Sequence, residues 1–396
     1  MQIKKHEEKL VRSSFVWSLY LIYALFSFTL SMIGPMAPRL QEEFGMSYAL
    51  TGLHQSAYAL GMVIMGIFGS AILNRMGTGL SAWLGLAVML LGVFAMVLAN
   101  GPLFTLLSVL ITSLAGTLTT VSVQISISER PGIIRRKMVI ESNVATAIAS
   151  MTVPLVLLLG DKLGQGWRIV FPFMLLASVF TALPGIPAYK KHKASMALHG
   201  QKAGIMEARP AISLVLSLLI IFFVVTVEWS FRFWSMSYLL EIPGSTPFLA
   251  SLGVIILYMA KVGGRFAASL AGSRITEKQI MNFSILMVLM GFPLFWLRMG
   301  WIGNFAGLAL CGMGSSNFFP MGLNKFLGRV TGNKKWASLV QAVQGAGIGL
   351  SPFLLGRLAD LSSLKTALLY VPVGTLIVLG LCMLDESLEK RQASLG

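Results

Sequence analysis

Three ionisable side chains stand in stretches that otherwise read as hydrocarbon-spanning helix. Glu228 and Arg232 lie four residues apart in VVTVEWSFRFW, residues 224–234, and Lys261 falls near the middle of the apolar run 248–271. A carboxylate in such a place can take up and release a proton, and a guanidinium or ammonium can receive an anionic group. Opposite charges can also simply pair: Glu228 and Arg232 are i, i+4 neighbours on one helix face. Two kinds of reading therefore stand side by side: a permanent internal salt bridge, or a functional site in which Glu228 is a proton or cation carrier or Lys261 and Arg232 receive an anionic substrate group. Either way lipid exposure is excluded by cost, since one charge at the centre of a membrane helix costs about 2.5–3.5 kcal/mol on insertion scales. Glu228 sits three residues past the centre of its apolar run and Lys261 near the centre of the next, returning one, so the two can meet at similar depth. Arg265, a turn beyond Lys261, approaches a helix end, where its long stem can snorkel, and is read as structural.

The elements that must position these residues follow from composition. With 56% hydrophobic and 12% charged residues and 40 glycines in 396, the chain is a membrane protein. A spanning helix takes about 20 mostly apolar residues. Twelve such stretches are predicted, near 15–35, 47–73, 79–98, 102–124, 138–160, 168–187, 211–238, 248–271, 280–297, 302–322, 336–357 and 363–384. What remains makes short loops and two tails, with no separate soluble domain. The short alternating segments of a β-barrel are absent. The first run, near Ser14 to Gly34, is long enough to span and is expected to stay as an anchor.

The formal charge of +16 is chiefly a topology signal, with a weaker contribution toward anionic lipid headgroups, and it makes no case for nucleic acid. Of the 31 Lys and Arg residues, 22 fall on the side of the N-terminus, six on the opposite side, and only Arg232, Lys261 and Arg265 lie inside predicted helices. The positive-inside rule then places both termini in the cytoplasm of a multi-pass protein of the cell membrane. The longest polar connection, within 189–210, divides the chain into an N-terminal six-helix half (1–188) and a C-terminal one (211–396). GIFGSAILNRMG and RFAASLAGSRIT align at an offset of 199, matching Arg75 with Arg274, as expected of repeated halves in a secondary transporter.

Softer polar candidates are His54 and Tyr58 on one face of the second span, Gln124 in the fourth, Asn317 in the tenth, and Gln341 and Gln344 in the eleventh. Each can bind solute or join helices by hydrogen bonds; for His54 a satisfied structural role is preferred to a proton relay. Trp229, Trp234, Tyr20 and Tyr23 can stack on a ring or serve as packing. Glu141 is expected to pair with Arg135 and Arg136. Cys311 and Cys382 fall inside spans and read as small core residues, and no Cys/His spacing suits a metal. No H-E-x-x-H, P-loop or G-x-S-x-G occurs, so neither an enzyme nor a cofactor is expected.

The residues Gly69-x4-Asn74-Arg75-x-Gly77 resemble the cytoplasmic gating motif of the major facilitator superfamily, with Asn in place of the usual Asp. GWRIVF, Gly166 to Phe171, is similar to a run common in that family. Gly347-x3-Ser351-Pro352-x3-Gly356 is similar to its glycine and proline pattern in the eleventh helix. The resemblance covers essentially the whole chain. It implies an all-α integral membrane protein of twelve transmembrane helices in two pseudo-symmetric six-helix bundles, without cofactor and acting as a monomer. It further implies that spans one, four, seven and ten line a central cavity, so that Glu228 and Arg232 border the transport path. Asn74 can still hydrogen-bond but supplies no charge. Two features depart from the family: the Arg early in the fourth span is missing, and Ala149, Val153 and Leu157 occupy glycine positions of the antiporter pattern around Pro154. The expectation is a secondary transporter of a small polar or anionic solute, by proton symport in preference to antiport. An exporter or antiporter of drugs or metabolites, a lipid flippase and a non-transporting scaffold are the alternatives.

Overall fold

The computed structural model describes residues 14–128, 132–193, 211–271, 275–327, 329 and 334–395. They form fourteen α-helices: α1 (Ser14–Phe44), α2 (Tyr48–Met76), α3 (Thr78–Val97), α4 (Pro102–Ser128), α5 (Gly132–Lys162), α6 (Val170–Lys193), α7 (Ala211–Leu240), α8 (Pro247–Ala271), α9 (Glu277–Trp296), α10 (Gly300–Ser315), α11 (Phe318–Leu327), α12 (Lys334–Leu361), α13 (Leu364–Ala367) and α14 (Tyr370–Leu395). Among the described residues there is no strand.

Nine segments among the described residues are long and apolar enough to cross a membrane. The predicted spans 47–73, 302–322 and 336–357 lie outside that set. α2 and α12 are nonetheless continuous helices of 29 and 28 residues. The tenth span is not one helix, because α10 stops after 16 residues at Ser315 and α11 starts at Phe318.

Two compact units emerge, one of Met1–Arg39 and Ala57–Gln201, the other of Leu40–Ser56 and Lys202–Gly396. In the first, α3 and α4 pack most extensively, and glycine is what lets their backbones touch. A Cβ on Gly85 would sit 2.8 Å from the Ala115 carbonyl oxygen, and one on Gly92 2.9 Å from the Thr112 nitrogen. At one end of this unit Arg39 clasps Asp161 of α5 in a two-pronged ion pair, at 3.1 and 2.5 Å. The polypeptide turns between α2 and α3 at Gly77, whose φ of +76° suits only glycine well.

In the second unit α7 touches α8, α11, α12 and α14. Its residues Val224, Val225, Val227, Trp229, Phe231, Phe233 and Trp234 are all buried, so this stretch of the helix is enclosed by its neighbours. Elsewhere the outward surfaces are greasy. Leu176, Phe180 and Leu183 form a ridge on α6, each about 70% exposed, a surface that lipid covers and water would not tolerate.

At one end of the second unit Arg329 is buried among fixed partners. It donates to the Ser213 carbonyl (2.7 Å), Ser217 Oγ (2.6 Å), Asp385 Oδ2 (2.7 Å) and Glu389 Oε1 (2.6 Å), while Lys325 reaches Asp385 at 2.5 Å. Arg329 and Lys325 thus tie α7, α11 and α14 together. Removing one member of a buried ion network leaves uncompensated charge, at a cost of about 3–5 kcal/mol. Asp385→Ala should therefore lower the unfolding temperature of the protein in detergent micelles by several degrees. Lys278→Ala, which removes an exposed pair with Glu386, should change stability by less than about 1 kcal/mol in the same assay.

Candidate transport site

Glu228 of α7 and Lys261 of α8 meet directly: Lys261 Nζ donates to Glu228 Oε1, with about nine-tenths of each side chain buried. The sequence left Glu228 with two basic neighbours, and the structure gives this hydrogen bond to Lys261, 33 residues away along the chain. Arg232 turns to aromatic partners. Its Nε donates to Tyr258 Oη at 2.7 Å, and its guanidinium lies 4.3 Å from the Trp229 ring centroid and 4.9 Å from that of Tyr258. Two aromatic faces and a hydroxyl are a fitting environment for a weakly hydrated planar cation away from water. The charges of Arg232 and Arg265 also lie within electrostatic reach of the pair.

The helix crossing that brings these groups together depends on small residues. A Cβ on Gly264 would lie 2.6 Å from the Met313 carbonyl oxygen, so α8 and α10 touch where α10 ends. Arg265 Nε donates to the Ser316 carbonyl exposed there (3.2 Å), and Asn317 Nδ2 donates to the Gly264 carbonyl (3.3 Å) and Ser316 Oγ (3.0 Å). Arg265 and Asn317 thus hold the crossing. Tyr258 went unremarked in sequence. Its spacing was the available signal, because Tyr258, Lys261 and Arg265 stand at i, i+3 and i+7 and so share one face of α8.

The remaining candidates are dispersed. His54 is fully buried with Nδ1 3.0 Å from the Leu50 carbonyl of its own helix, and it belongs to the second unit. Tyr58 belongs to the first, where its hydroxyl shares a 2.9 Å hydrogen bond with Thr29. Gln124, exposed on α4, donates to Tyr23 Oη at 3.4 Å. Gln344 is half-buried in α12; the Gln341 side chain and Arg274 lie outside the described residues. Asn74 and Arg75 are exposed at the end of α2, Gly69 lies within that helix, and Gly77 makes the turn described above. Glu141 accepts a hydrogen bond from Tyr20 Oη (2.9 Å); the side chains of Arg135 and Arg136 lie outside the described residues. Trp234 is packed, its Nε1 donating to the Pro352 carbonyl at 3.2 Å. Cys311 and Cys382 are free and buried.

A family profile described as Major Facilitator Superfamily matches residues 19–335. The chain belongs to this superfamily. It is accordingly a multi-pass helical membrane protein of a transporter family. Among curated proteins, the Membrane protein MosC of Rhizobium meliloti is 24% identical over 155 residues, a stretch covering 39% of this chain and 38% of that relative's length. Solved structures agree in fold. A bacterial homologue of the human lysosomal transporter Spinster, inward-facing and occupied, superposes with a TM-score of 0.75 at 13% identity, covering 94% of this chain and 96% of that one. A mutant of the nucleoside transporter NupG gives 0.74 at 13% identity, covering 94% and 99%. A D-xylose–proton symporter gives 0.69 at 13% identity, covering 93% and 96%.

The buried pair makes its own stability prediction. Lys261→Met strands Glu228 without its ammonium partner and should cost about 3–5 kcal/mol, seen as a large drop in unfolding temperature in micelles. Glu228→Gln combined with Lys261→Met removes both charges and should recover most of that loss. Equal destabilisation by the single and double variants would show that the pair is not an energetic unit.

Proposed function

We propose that this superfamily member is a secondary active transporter that moves a small polar or anionic solute with a proton, by rocking its halves, 1–188 and 211–396, about the connection 189–210. The observation that supports this most is the ion pair between Glu228 and Lys261, placed mid-span where a fixed pair is expensive to keep. When Glu228 is ionised it holds Lys261. When it takes a proton, the attraction is lost and Lys261 is released beside Arg232 to meet an anionic group of the solute. Proton and solute then favour the same state, and that differential affinity is what coupling requires. The membrane potential supplies about 2.3 kcal/mol per 100 mV for each charge carried inward.

The D-xylose–proton symporter among the structural neighbours is in keeping with this mode, while the fold alone leaves the solute open. Symport is preferred to antiport because the glycines of the antiporter pattern are replaced at Ala149, Val153 and Leu157. The positive-inside count supports a protein of the cell membrane with both termini in the cytoplasm, acting as a monomer on a small-molecule substrate. His54, Tyr58, Gln124, Asn317, Gln341 and Gln344 are proposed as further polar contacts along the path. Gly69, Asn74, Arg75, Gly77 and Arg274 are proposed as parts of a cytoplasmic gate.

Reconstitution into proteoliposomes tests this reading with a panel of radiolabelled sugars, nucleosides, amino acids and organic anions, with and without an imposed inward pH gradient. At least one panel member should accumulate only with the gradient. Glu228→Gln should reduce that accumulation more than tenfold while solute exchange at equal pH persists, and Lys261→Met should weaken solute affinity. Undiminished gradient-driven uptake in both variants overturns the assigned roles. Transport of none of the panel favours the scaffold, and scrambling of labelled lipid favours the flippase.

A further inference from the structure

A cavity of about 490 Å³ opens between α9, α11 and α14, at the end of the second unit that holds Arg329. No residue of the proposed coupling site lines it. Its wall carries four basic side chains, Lys278, Lys325, Arg329 and Lys390, and three carboxylates, Glu277, Glu386 and Glu389. Two of the cations are committed to the fold, since Lys325 and Arg329 both bind the buried Asp385. The other two are open. Lys278 is 57% exposed and has Glu386 as its ion-pair partner at 2.6 Å, and Lys390 is exposed with no partner among the described residues. The acids keep capacity as well: Glu277 accepts through Oε1 from Asn324 (3.3 Å) and Glu389 through Oε1 from Arg329 (2.6 Å), with no bond to either Oε2 among the described residues.

Four cations against these three acids and Asp385 make the cluster neutral as a whole, with spare donors and spare acceptors in one cavity. An anionic ligand would satisfy Lys278 and Lys390 but sit among carboxylates, and a cationic one would reverse the fault. The wall is complementary to a ligand that carries both signs.

Two apolar faces lead away from the cavity along α9 and α14, which pack against each other. On α9, Asn282 lines the cavity, and Leu286 and Met290 follow at steps of four residues on the same face, 51% and 60% exposed. On α14, Lys390 and Glu386 line it, and Met383 and Leu376 continue their face, 63% and 53% exposed. From Glu386 back to Leu376 the helix rises about 15 Å, half of a hydrocarbon core about 30 Å thick. A polar pocket of both signs that opens onto an apolar surface one leaflet long has the polarity and the length of a phospholipid.

We infer that this cavity is the headgroup site of a phospholipid that bears a phosphate and a primary ammonium. The phosphate oxygens accept from Lys278 and Lys390, the ammonium donates to Glu277 and Glu389, and the acyl chains lie along Leu286 and Met290 of α9 and Met383 and Leu376 of α14. A quaternary ammonium has no N–H to give the carboxylates, and a glycerol headgroup has no positive charge, so the site selects against both. It is distinct from the site of Glu228 and Lys261.

The test titrates the full-length protein in detergent micelles with three phospholipids of identical acyl chains, carrying phosphoethanolamine, phosphocholine or phosphoglycerol headgroups, and counts bound lipid by native mass spectrometry. The ethanolamine lipid should bind roughly tenfold more tightly than the other two. Lys278→Ala combined with Lys390→Ala should weaken its binding roughly tenfold, and Glu277→Gln, a milder change that keeps the size-exclusion profile, should bring its preference over the choline lipid to within about threefold. Equal binding of the three lipids, tightest binding of the phosphoglycerol lipid, or binding unmoved by either variant overturns the proposal. So does displacement of the lipid by free phosphoethanolamine at equal concentration, which would make the ligand a soluble metabolite. Binding is read without any transported solute, so the result is independent of the roles of Glu228 and Lys261.

Discussion

A charge in hydrocarbon must have a partner or water, and much of the second unit is arranged around that constraint at Glu228 and Lys261. Neither side chain can be left alone at mid-span, and a pair is tolerable only if two helices are held at the right depth and rotation. The enclosure of α7, the aromatic seat of Arg232 on Trp229 and Tyr258, and the bare backbone contact at Gly264 each contribute to that positioning. The break between α10 and α11 exposes the Ser316 carbonyl, which occupies Arg265 and keeps a further positive charge fixed nearby.

Charged clusters at three levels of the second unit differ in how firmly they are held. Near one end, Arg329 has four oxygen partners from two other helices, an arrangement that cannot change without losing several bonds together. Near the other end, Asp360 holds two backbone donors, and Glu241 receives Tyr48 and, at 3.4 Å, Arg298. Between them, among the described residues, the carboxylate of Glu228 meets Lys261 through one ammonium hydrogen bond. A single bond between two titratable groups can be undone by one proton. That difference in redundancy separates joints that maintain the fold from one suited to switching.

Much of the fold was legible because membrane helices advertise themselves: a long apolar run has few alternatives once the backbone must satisfy its own hydrogen bonds. The α10–α11 break was not read, although Pro320 close behind the polar Ser315–Ser316–Asn317 was an available sign. Apolar content runs straight through the break and hides it. At the candidate site, Glu228, Arg232 and Lys261 were conspicuous as charges out of place, while Tyr258 was hidden by being an unremarkable residue in a membrane helix. Asp360 was harder still. An acid at a predicted helix end looks solvated.

The sequence by itself determined the class of the protein, the approximate position of its helices, the expected sidedness from its lysines and arginines, and the three costly charges. These are one-dimensional properties, set by transfer free energy and helix rise. Only the tertiary structure decided which charges meet. Glu228 and Arg232 were neighbours by spacing, yet in the fold Glu228 accepts a hydrogen bond from Lys261, while Arg232 lies against two rings. Likewise Tyr48 and Asp360, 312 residues apart, come together because glycines let two helices approach to backbone contact. Pairing in a low-dielectric interior depends on distances of a few ångströms between chain segments far apart in sequence, and helix packing is what fixes those distances.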